Sequence, residues 1–316
     1  MDTPPQDTWL LIVNPRAGNG RALRQHQRLT TLLGAHGLAC HTVISEAAGD
    51  PVRLTRQGLE QGYRKIAAVG GDGTLHQIVN GIFSMAKVPT GEVTLGLIPV
   101  GTGNDWARDV GIPGDWEKAV ALLATGKTAW HDIGQIDGPG IAGDALPPGR
   151  AWFLNVAGIG FDAFVVQQLQ RRRSSRLIYL WGAISNLARF SPVPLTLSID
   201  GLAQGSSDSF ALFVALRRYC GQGMTVAPQA QADDGLFDIT WVTDLGRGEV
   251  LWNLRRLYDA SLLAHPKVRH FRTARLSIAA PPGTPAEADG ELIGQATESP
   301  AISFQILPRA LRVIVP

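Results

Sequence analysis

Two short glycine-rich stretches carry the residue types that phosphate chemistry asks for. They are Gly70-Gly71-Asp72-Gly73-Thr74 and Pro99-Val100-Gly101-Thr102-Gly103-Asn104-Asp105. Glycines let a backbone approach a ligand closely, and the N–H groups that open a helix attract an anion. The acid inside each stretch is the informative oddity. A carboxylate facing phosphates repels them unless a divalent cation lies between, and magnesium often meets protein through a carboxylate while keeping several waters. The combination points to a magnesium–nucleoside triphosphate. For the first stretch alone, the plainer alternative is a tight turn in which Asp72 caps the helix that follows. A second loop of the same construction weighs against that alternative. Asn14, in Asn14-Pro15-Arg16-Ala17-Gly18, ends an apolar run in the same way and would face the same crevice. No Gly-x4-Gly-Lys-Ser/Thr stretch occurs, which excludes an ordinary P-loop kinase.

Such loops work only when elements of alternating type hold them at one edge. The first third of the chain predicts that alternation. Strands are expected at Trp9–Val13, Leu38–Ile44, Lys65–Val69 and Val93–Val100, and helices at Arg21–Leu33, Pro51–Gln61, Thr74–Phe83 and Asn104–Val110. Strand, loop and helix in strict order argue a parallel sheet covered by helices, with ligands outside the carboxyl ends of its strands. After about Trp130 the texture changes. Ala151–Val156, Leu195–Ile199, Phe210–Leu216, Phe237–Val242 and Leu276–Ala280 are separated by Gly, Pro and Asp turns, an antiparallel sandwich pattern interrupted by one helical stretch, Phe161–Phe190. The expected fold is an α/β nucleotide-binding domain over 1–130 and an antiparallel β-sandwich domain over 131–304. Residues 305–316 are assignable to either.

In this order the motifs resemble the diacylglycerol-kinase and sphingosine-kinase catalytic-domain family, in its bacterial lipid-kinase form. The matching residues are Asn14-Pro15-x-x-Gly18, Gly70 to Thr74 with Asn80-Gly81, and Gly101-Thr102-Gly103-Asn104-Asp105-x-Ala107-Arg108. They continue with Gly158-x-Gly160-x-Asp162-Ala163, Pro228-x-Ala230-x-x-x-Asp234-Gly235 and Asp289-Gly290-Glu291. The resemblance implies an ATP- and Mg2+-dependent kinase acting on a hydroxyl of a lipid such as diacylglycerol, with a fold related to NAD kinase. It implies that Gly70, Gly71, Asp72, Gly73, Thr74, Leu75 and His76 hold the nucleotide together with Asn14, Ser45, Gly101, Thr102 and Asn104. Glu291 becomes the base that deprotonates the lipid hydroxyl, and Asp72, Asp105 and Asp132 a carboxylate network around the catalytic magnesium. A second, site-ordering metal falls to Asp234 with the backbones of Gln231 and Leu236. Two departures stand out: His76-Gln77 occupies a place where relatives commonly have Asn-Glu, and Gln229 replaces a frequent Asp.

Composition agrees with this reading. The 29 basic and 27 acidic residues nearly cancel, which leaves no field calling for nucleic acid. Two cysteines are no disulfide framework, and no apolar run approaches a membrane span. The expected setting is the cytoplasm with peripheral contact to a membrane surface, where the lipid substrate resides; a homodimer is compatible with it. Arg171-Arg172-Arg173 with Arg176 offers a headgroup site or simply a solvated helix end. Phe161, Phe164, Val165, Leu177, Tyr179, Leu180 and Trp181 offer an acyl-chain cleft or ordinary core. Two other readings compete with the lipid kinase. NAD kinase shares the Gly-Gly-Asp-Gly loop, and a non-catalytic nucleotide or lipid sensor would have kept the fold.

Overall fold

A computed structural model describes residues 7–316 except 48, 102, 143–144, 170–184 and 299–300. Thr102, the Arg171–Arg176 cluster, and Leu177, Tyr179, Leu180 and Trp181 therefore lie outside the described residues. Packing divides the chain into two units, residues 1–132, 144–146 and 309–316, and residues 133–143 and 147–308.

In the first unit, β1 (Trp9–Val13), β3 (Lys65–Gly70) and β4 (Thr94–Pro99) are apolar runs buried at every residue but Lys65. Strands covered on both faces must read this way. β2 (Cys40–Ile44) lies at the edge, and the order is β2-β1-β3-β4 with every pair parallel. The chain leaves β1 towards one neighbour and later returns on its other side. That reversal makes a crevice at the carboxyl ends of β1 and β3, where open α/β sheets take their ligands. The helices are α1 (Ala17–Arg24), α2 (His26–Ala35), α3 (Asp50–Glu60), α4 (Asp72–Phe83), α5 (Asp105–Val110) and α6 (Trp116–Thr125).

The single helix expected over 21–33 is broken at Gln25. Gly18, Asn19 and Gly20, at the start of α1, are left-handed, because the chain there turns tightly against Val100. Helix α6, which is not among the helices expected from the sequence, buries Ala119, Val120 and Leu123 in the core formed with Trp9, Leu11 and Ile98. The end of the chain also belongs here, since Arg312 and Val313 pair in parallel with Thr94 and Leu95.

The second unit has two antiparallel layers. Its strands are β5 (Lys127–Asp137, from Ile133), β6 (Arg150–Phe153), β7 (Val156–Gly160), β8 (Val193–Ile199), β9 (Leu202–Ala215) and β12 (Phe237–Thr243), with a small hairpin β10 (Tyr219–Cys220) and β11 (Met224–Thr225). They continue with β13 (Val268–Thr273), β14 (Arg275–Ala279), β15 (Pro285–Ala288), β16 (Glu291–Gln295) and β17 (Ile302–Val315, as far as Pro308). One layer runs β16-β15-β7-β9-β12-β13 and the other β9-β8-β14-β17-β5-β6. Strand β9 serves both: Leu202 to Ser209 pair with β8, and Ala211 to Ala215 with β7. The run expected at Ala151–Val156 is two strands, because the N–H groups of Leu154 and Asn155 leave the ladder for the Asp289 carboxylate. Helix α7 (Phe161–Leu169) follows β7.

Candidate active site

In the first unit, the loops after β1, β3 and β4 meet. A Cβ on Gly101 would lie 2.8 Å from Gly71 Cα, and one on Gly71 would lie 3.1 Å from Gly101 Cα. The two glycine loops are thus in backbone contact, which no side chain at either position permits. Asn14 ties the first loop to them: its Nδ2 donates to Thr74 Oγ1 at 3.0 Å, and its Oδ1 accepts the Arg16 N–H at 3.0 Å. Ser45, buried, donates its hydroxyl to the Val13 carbonyl at 3.3 Å.

Asp72 reaches across to the other loop. Its Oδ2 accepts the N–H of Asp105 at 3.0 Å and its Oδ1 that of Trp106 at 3.3 Å, so it caps α5 and stitches the two loops together. The recipient amides are supplied by the other loop, a contact that no local spacing around Asp72 announces. Asp105 is buried and paired with Arg108 at 3.1 Å, and Asp132, also buried, accepts the Arg309 N–H at 2.7 Å. Thr74 and Leu75 N–H groups close on the Gly71 carbonyl. Leu75 and His76 are buried in the packing of α4, with Asn80 Nδ2 3.2 Å from His76 Nε2.

Two acceptor atoms here are buried and take no hydrogen bond from a described residue: Asn104 Oδ1 and Gln77 Oε1. Gln77 lines a small polar pocket with Asn14, Ser45 and Glu46. Buried acceptors without donors are costly and rare. They suit a ligand that brings donors, such as the hydroxyls and exocyclic amine of a nucleoside or the water on a bound magnesium. The acids and acceptors at this edge therefore fit a magnesium nucleotide, with Asp72 and Asp105 nearest the glycine loops. Gln77, which the sequence offers only as a departure from the family pattern, joins the candidate residues.

In the second unit, Asp289 and Gly290 form the two-residue turn between β15 and β16, with φ of 54° and 83°. Hairpins of this length need left-handed residues, hence Asp-Gly. The turn is held by more than its own geometry. The Asp289 carboxylate accepts the Leu154 N–H at 3.2 Å and the Asn155 N–H at 2.9 Å. Glu287 Oε2 accepts the Gly290 N–H at 2.8 Å. Glu291, the first residue of β16, is half-buried directly after this anchored turn.

Glu287 is the residue the sequence does not announce. It is only 3% exposed and hydrogen-bonded to Asp162, itself buried. Burial, then the Asp162 charge and the hydrogen bond between the two carboxyls, push Glu287 well above the ordinary glutamate range. A Cβ at Gly158 would lie 2.8 Å from Glu287 Oε1 and 3.0 Å from Asp162 Oδ2. The Gly158-x-Gly160-x-Asp162 pattern thereby has a physical reason, since Gly158 opens the space in which the two carboxyls meet. The only local hint of Glu287 is its place between Ala286 and Ala288, two residues before the Asp-Gly pair.

The proposed metal residues look different. Asp234 Oδ1 accepts the Leu236 N–H at 3.0 Å, and its other oxygen is paired with the Arg272 guanidinium, which also reaches Asp238. Arg272 thus supplies positive charge at Asp234. Gln231 is exposed. Among the described residues, no three His, Cys, Asp or Glu side chains are grouped to hold a metal.

The same unit holds an apolar cavity, open at its mouth, lined by Phe161, Val165, Phe210, Phe213, Leu254 and Leu257 among others. Phe161 and Val165 thus face a cavity, while Phe164 packs on Phe190. No helix among the described residues is long and apolar enough to cross a membrane.

The chain resembles known proteins along its length. The family model for the diacylglycerol kinase catalytic domain matches residues 8–136, and that for the YegS C-terminal NAD kinase beta sandwich-like domain matches residues 155–315. A diacylglycerol kinase of Mycobacterium tuberculosis (strain H37Rv) is 30% identical over 310 residues, 96% of this chain and 94% of its own. That of Staphylococcus carnosus is 26% identical over 293 residues, 90% of this chain and 89% of its own. Among solved structures, a diacylglycerol kinase of Bacillus anthracis superposes with a TM-score of 0.71 at 20% identity, covering 98% of this chain and 97% of the other. Yeast NADH kinase complexed with NADH superposes at 0.53 with 8% identity, covering 99% and 84%. Both structural likenesses speak for the fold.

Proposed function

The chain belongs to the family of diacylglycerol kinases with a YegS-type C-terminal domain and is a lipid kinase, and from that premise we propose that it transfers the γ-phosphoryl group of ATP, with magnesium, to a hydroxyl of a lipid of the diacylglycerol kind. The observation that carries the nucleotide half is the backbone contact of Gly71 with Gly101, locked by Asp72, at the reversal point of the sheet. The lipid half is supported by the apolar cavity in the second unit and by the diacylglycerol kinases to which the chain is similar.

Phosphoryl transfer asks mainly for positioning and for positive charge against the phosphates. Magnesium, held through Asp72 and Asp105, would supply that charge. The glycine loops hold the phosphates by backbone, and Asn14 and Thr74 hold the loops. Gln77 and Asn104 offer acceptors to the donor groups of the nucleotide. Glu291 takes the proton of the lipid hydroxyl as its oxygen bonds to the γ-phosphorus and the bond to the β-phosphate oxygen breaks, releasing ADP. Asp289 and Glu287 are positioning residues that keep the Glu291 turn in one conformation.

The test is phosphate transfer from labelled ATP to a panel of hydroxyl lipids in detergent micelles, with and without magnesium, and with NAD as the competing acceptor. Transfer to a glycerolipid that stops on chelation is the expected result. Transfer to NAD alone would replace this reading with that of a dinucleotide kinase.

A further inference from the structure

The short helix Arg247–Asn253, with the turn Leu254–Leu257 that continues it, carries apolar side chains on two sides. On one, Val250, Leu254 and Leu257 line the apolar cavity. On the other, Trp252 is 82% exposed and Leu251 50%. Folded proteins scatter single apolar groups over their surface, but adjacent large ones on one short helix mark a contact site. Exposed Arg247 precedes Leu251 by one helical repeat and donates to the Phe190 carbonyl at 3.3 Å, and exposed Arg255 stands in the turn that follows the helix.

The charge of this face is positive. Glu249 is spent on Lys267 Nζ at 2.7 Å and the Gly246 N–H at 2.9 Å. Arg247, Arg255 and Arg256 then outnumber Asp244 and Asp259, the latter accepting the Ser261 N–H at 3.0 Å. An indole and an aliphatic side chain set between arginines is the composition of a helix that lies in a bilayer interface. There the indole sits at headgroup depth, and the guanidinium groups meet anionic lipid. A protein partner would equally cover the apolar pair, but it would not explain why the far side of the same helix walls a cavity of acyl-chain character.

We propose that the Arg247–Arg255 face docks this kinase on an anionic lipid bilayer, with Leu251 and Trp252 inserted and the arginines at the headgroups. The inference rests on the lipid-acceptor reading for its direction, since a substrate that lives in the bilayer must be met there. It is independent of that reading in its measurement.

The experiment is cosedimentation with vesicles of phosphatidylcholine alone and of phosphatidylcholine with phosphatidylglycerol. It uses the wild type, Leu251→Ser/Trp252→Ala and Arg255→Glu, with melting temperature and micellar kinase activity measured beside it. The wild type should bind the anionic vesicles better than the neutral ones. Loss of two inserted apolar side chains should weaken that binding roughly tenfold or more. Arg255→Glu should weaken it on anionic vesicles only, and all three proteins should melt alike and keep equal micellar activity. Wild-type affinity in both variants, or no vesicle binding by the wild type, overturns the inference and leaves the kinase reading standing. A self-association that disappears in Leu251→Ser/Trp252→Ala, with vesicle binding intact, would give the face to a second copy and equally overturn it. Vesicle binding through this face by a protein that phosphorylates no micellar lipid would sustain the docking while ending the kinase reading.

Discussion

The carboxyl group of Glu287, on β15, is hydrogen-bonded to that of Asp162, on α7, in space opened by Gly158. Two acids meet in a buried site only if a proton stays between them. Burial and the Asp162 charge hold Glu287 above the ordinary glutamate range, so the folded protein keeps a proton that the unfolded chain gives up. The sign follows from linkage: the stabilisation is full below the ordinary glutamate range and is lost as pH rises towards the folded value. Glu287→Gln keeps a neutral donor to Asp162 and removes the titration. Its urea unfolding free energy should therefore fall less steeply than that of the wild type as pH rises above the ordinary glutamate range. Equal slopes would remove the shared proton. Glu287→Ala, which strips the donor and leaves Asp162 buried, should cost about 1–3 kcal/mol.

Glu291→Gln separates chemistry from binding. The amide keeps shape and hydrogen-bonding capacity but cannot accept the hydroxyl proton. Turnover should fall by about 10²–10⁴-fold with ATP affinity nearly unchanged, as measured by steady-state kinetics and nucleotide titration. Turnover within a few-fold of wild type would reduce Asp289-Gly290-Glu291 to the hairpin connection it also is.

Asp72→Asn should act twice. It takes a charged acceptor from the N–H groups of Asp105 and Trp106, at a cost of about 1 kcal/mol as for other helix caps. It also weakens the magnesium side of the site. The expected signature is a lower melting temperature together with a higher magnesium concentration for half-maximal activity. A lower melting temperature with an unchanged magnesium requirement would leave Asp72 purely structural.

Gly101→Ala tests the loop contact. Its Cβ would lie 2.7 Å from Asn104 Oδ1 and 2.8 Å from Gly71 Cα, so one loop must move. Overpacking of this kind costs about 1–3 kcal/mol. Calorimetric ATP affinity should fall, while binding of short-chain lipid, measured without nucleotide, should not.

Asp234→Ala decides between a metal and a guanidinium. If Arg272 alone balances Asp234, the variant and the wild type will hold equal metal after dialysis, and the variant's activity will change only as far as its stability does. A metal stoichiometry that falls in the variant would restore the site-ordering ion, with Gln231 and Leu236 as its carbonyl donors.

What the residues determined by themselves is whatever depends on short spacing. Apolar runs of strand length followed at once by glycines place Gly70 to Thr74 and Gly101 to Asp105 at strand ends, because a parallel sheet buried on both faces leaves no other reading of Lys65–Gly70 and Thr94–Pro99. The Asp-Gly pair before Glu291 likewise encodes its own turn. The two-layer second half is readable from its turns, although Ala151–Val156 reads as one strand and is two.

Tertiary structure alone decided which partner each acid meets. Asp72 looks like a cap for α4 and caps α5, because the amides of Asp105 and Trp106 arrive from the next strand's loop. Asp234 reads as a turn acid before Gly235, and β13 brings the Arg272 guanidinium to it. Glu287 looks like a solvent-facing strand residue between two alanines, and it is buried because β15 lies between β16 and β7, with Gly158 opposite it. The physical reason is common to all three. A side chain's local pattern sets its backbone, whereas its charge is answered by whatever a distant strand brings within 3 or so ångströms, about one hydrogen-bond length, and strand pairing across such separations has no local signature.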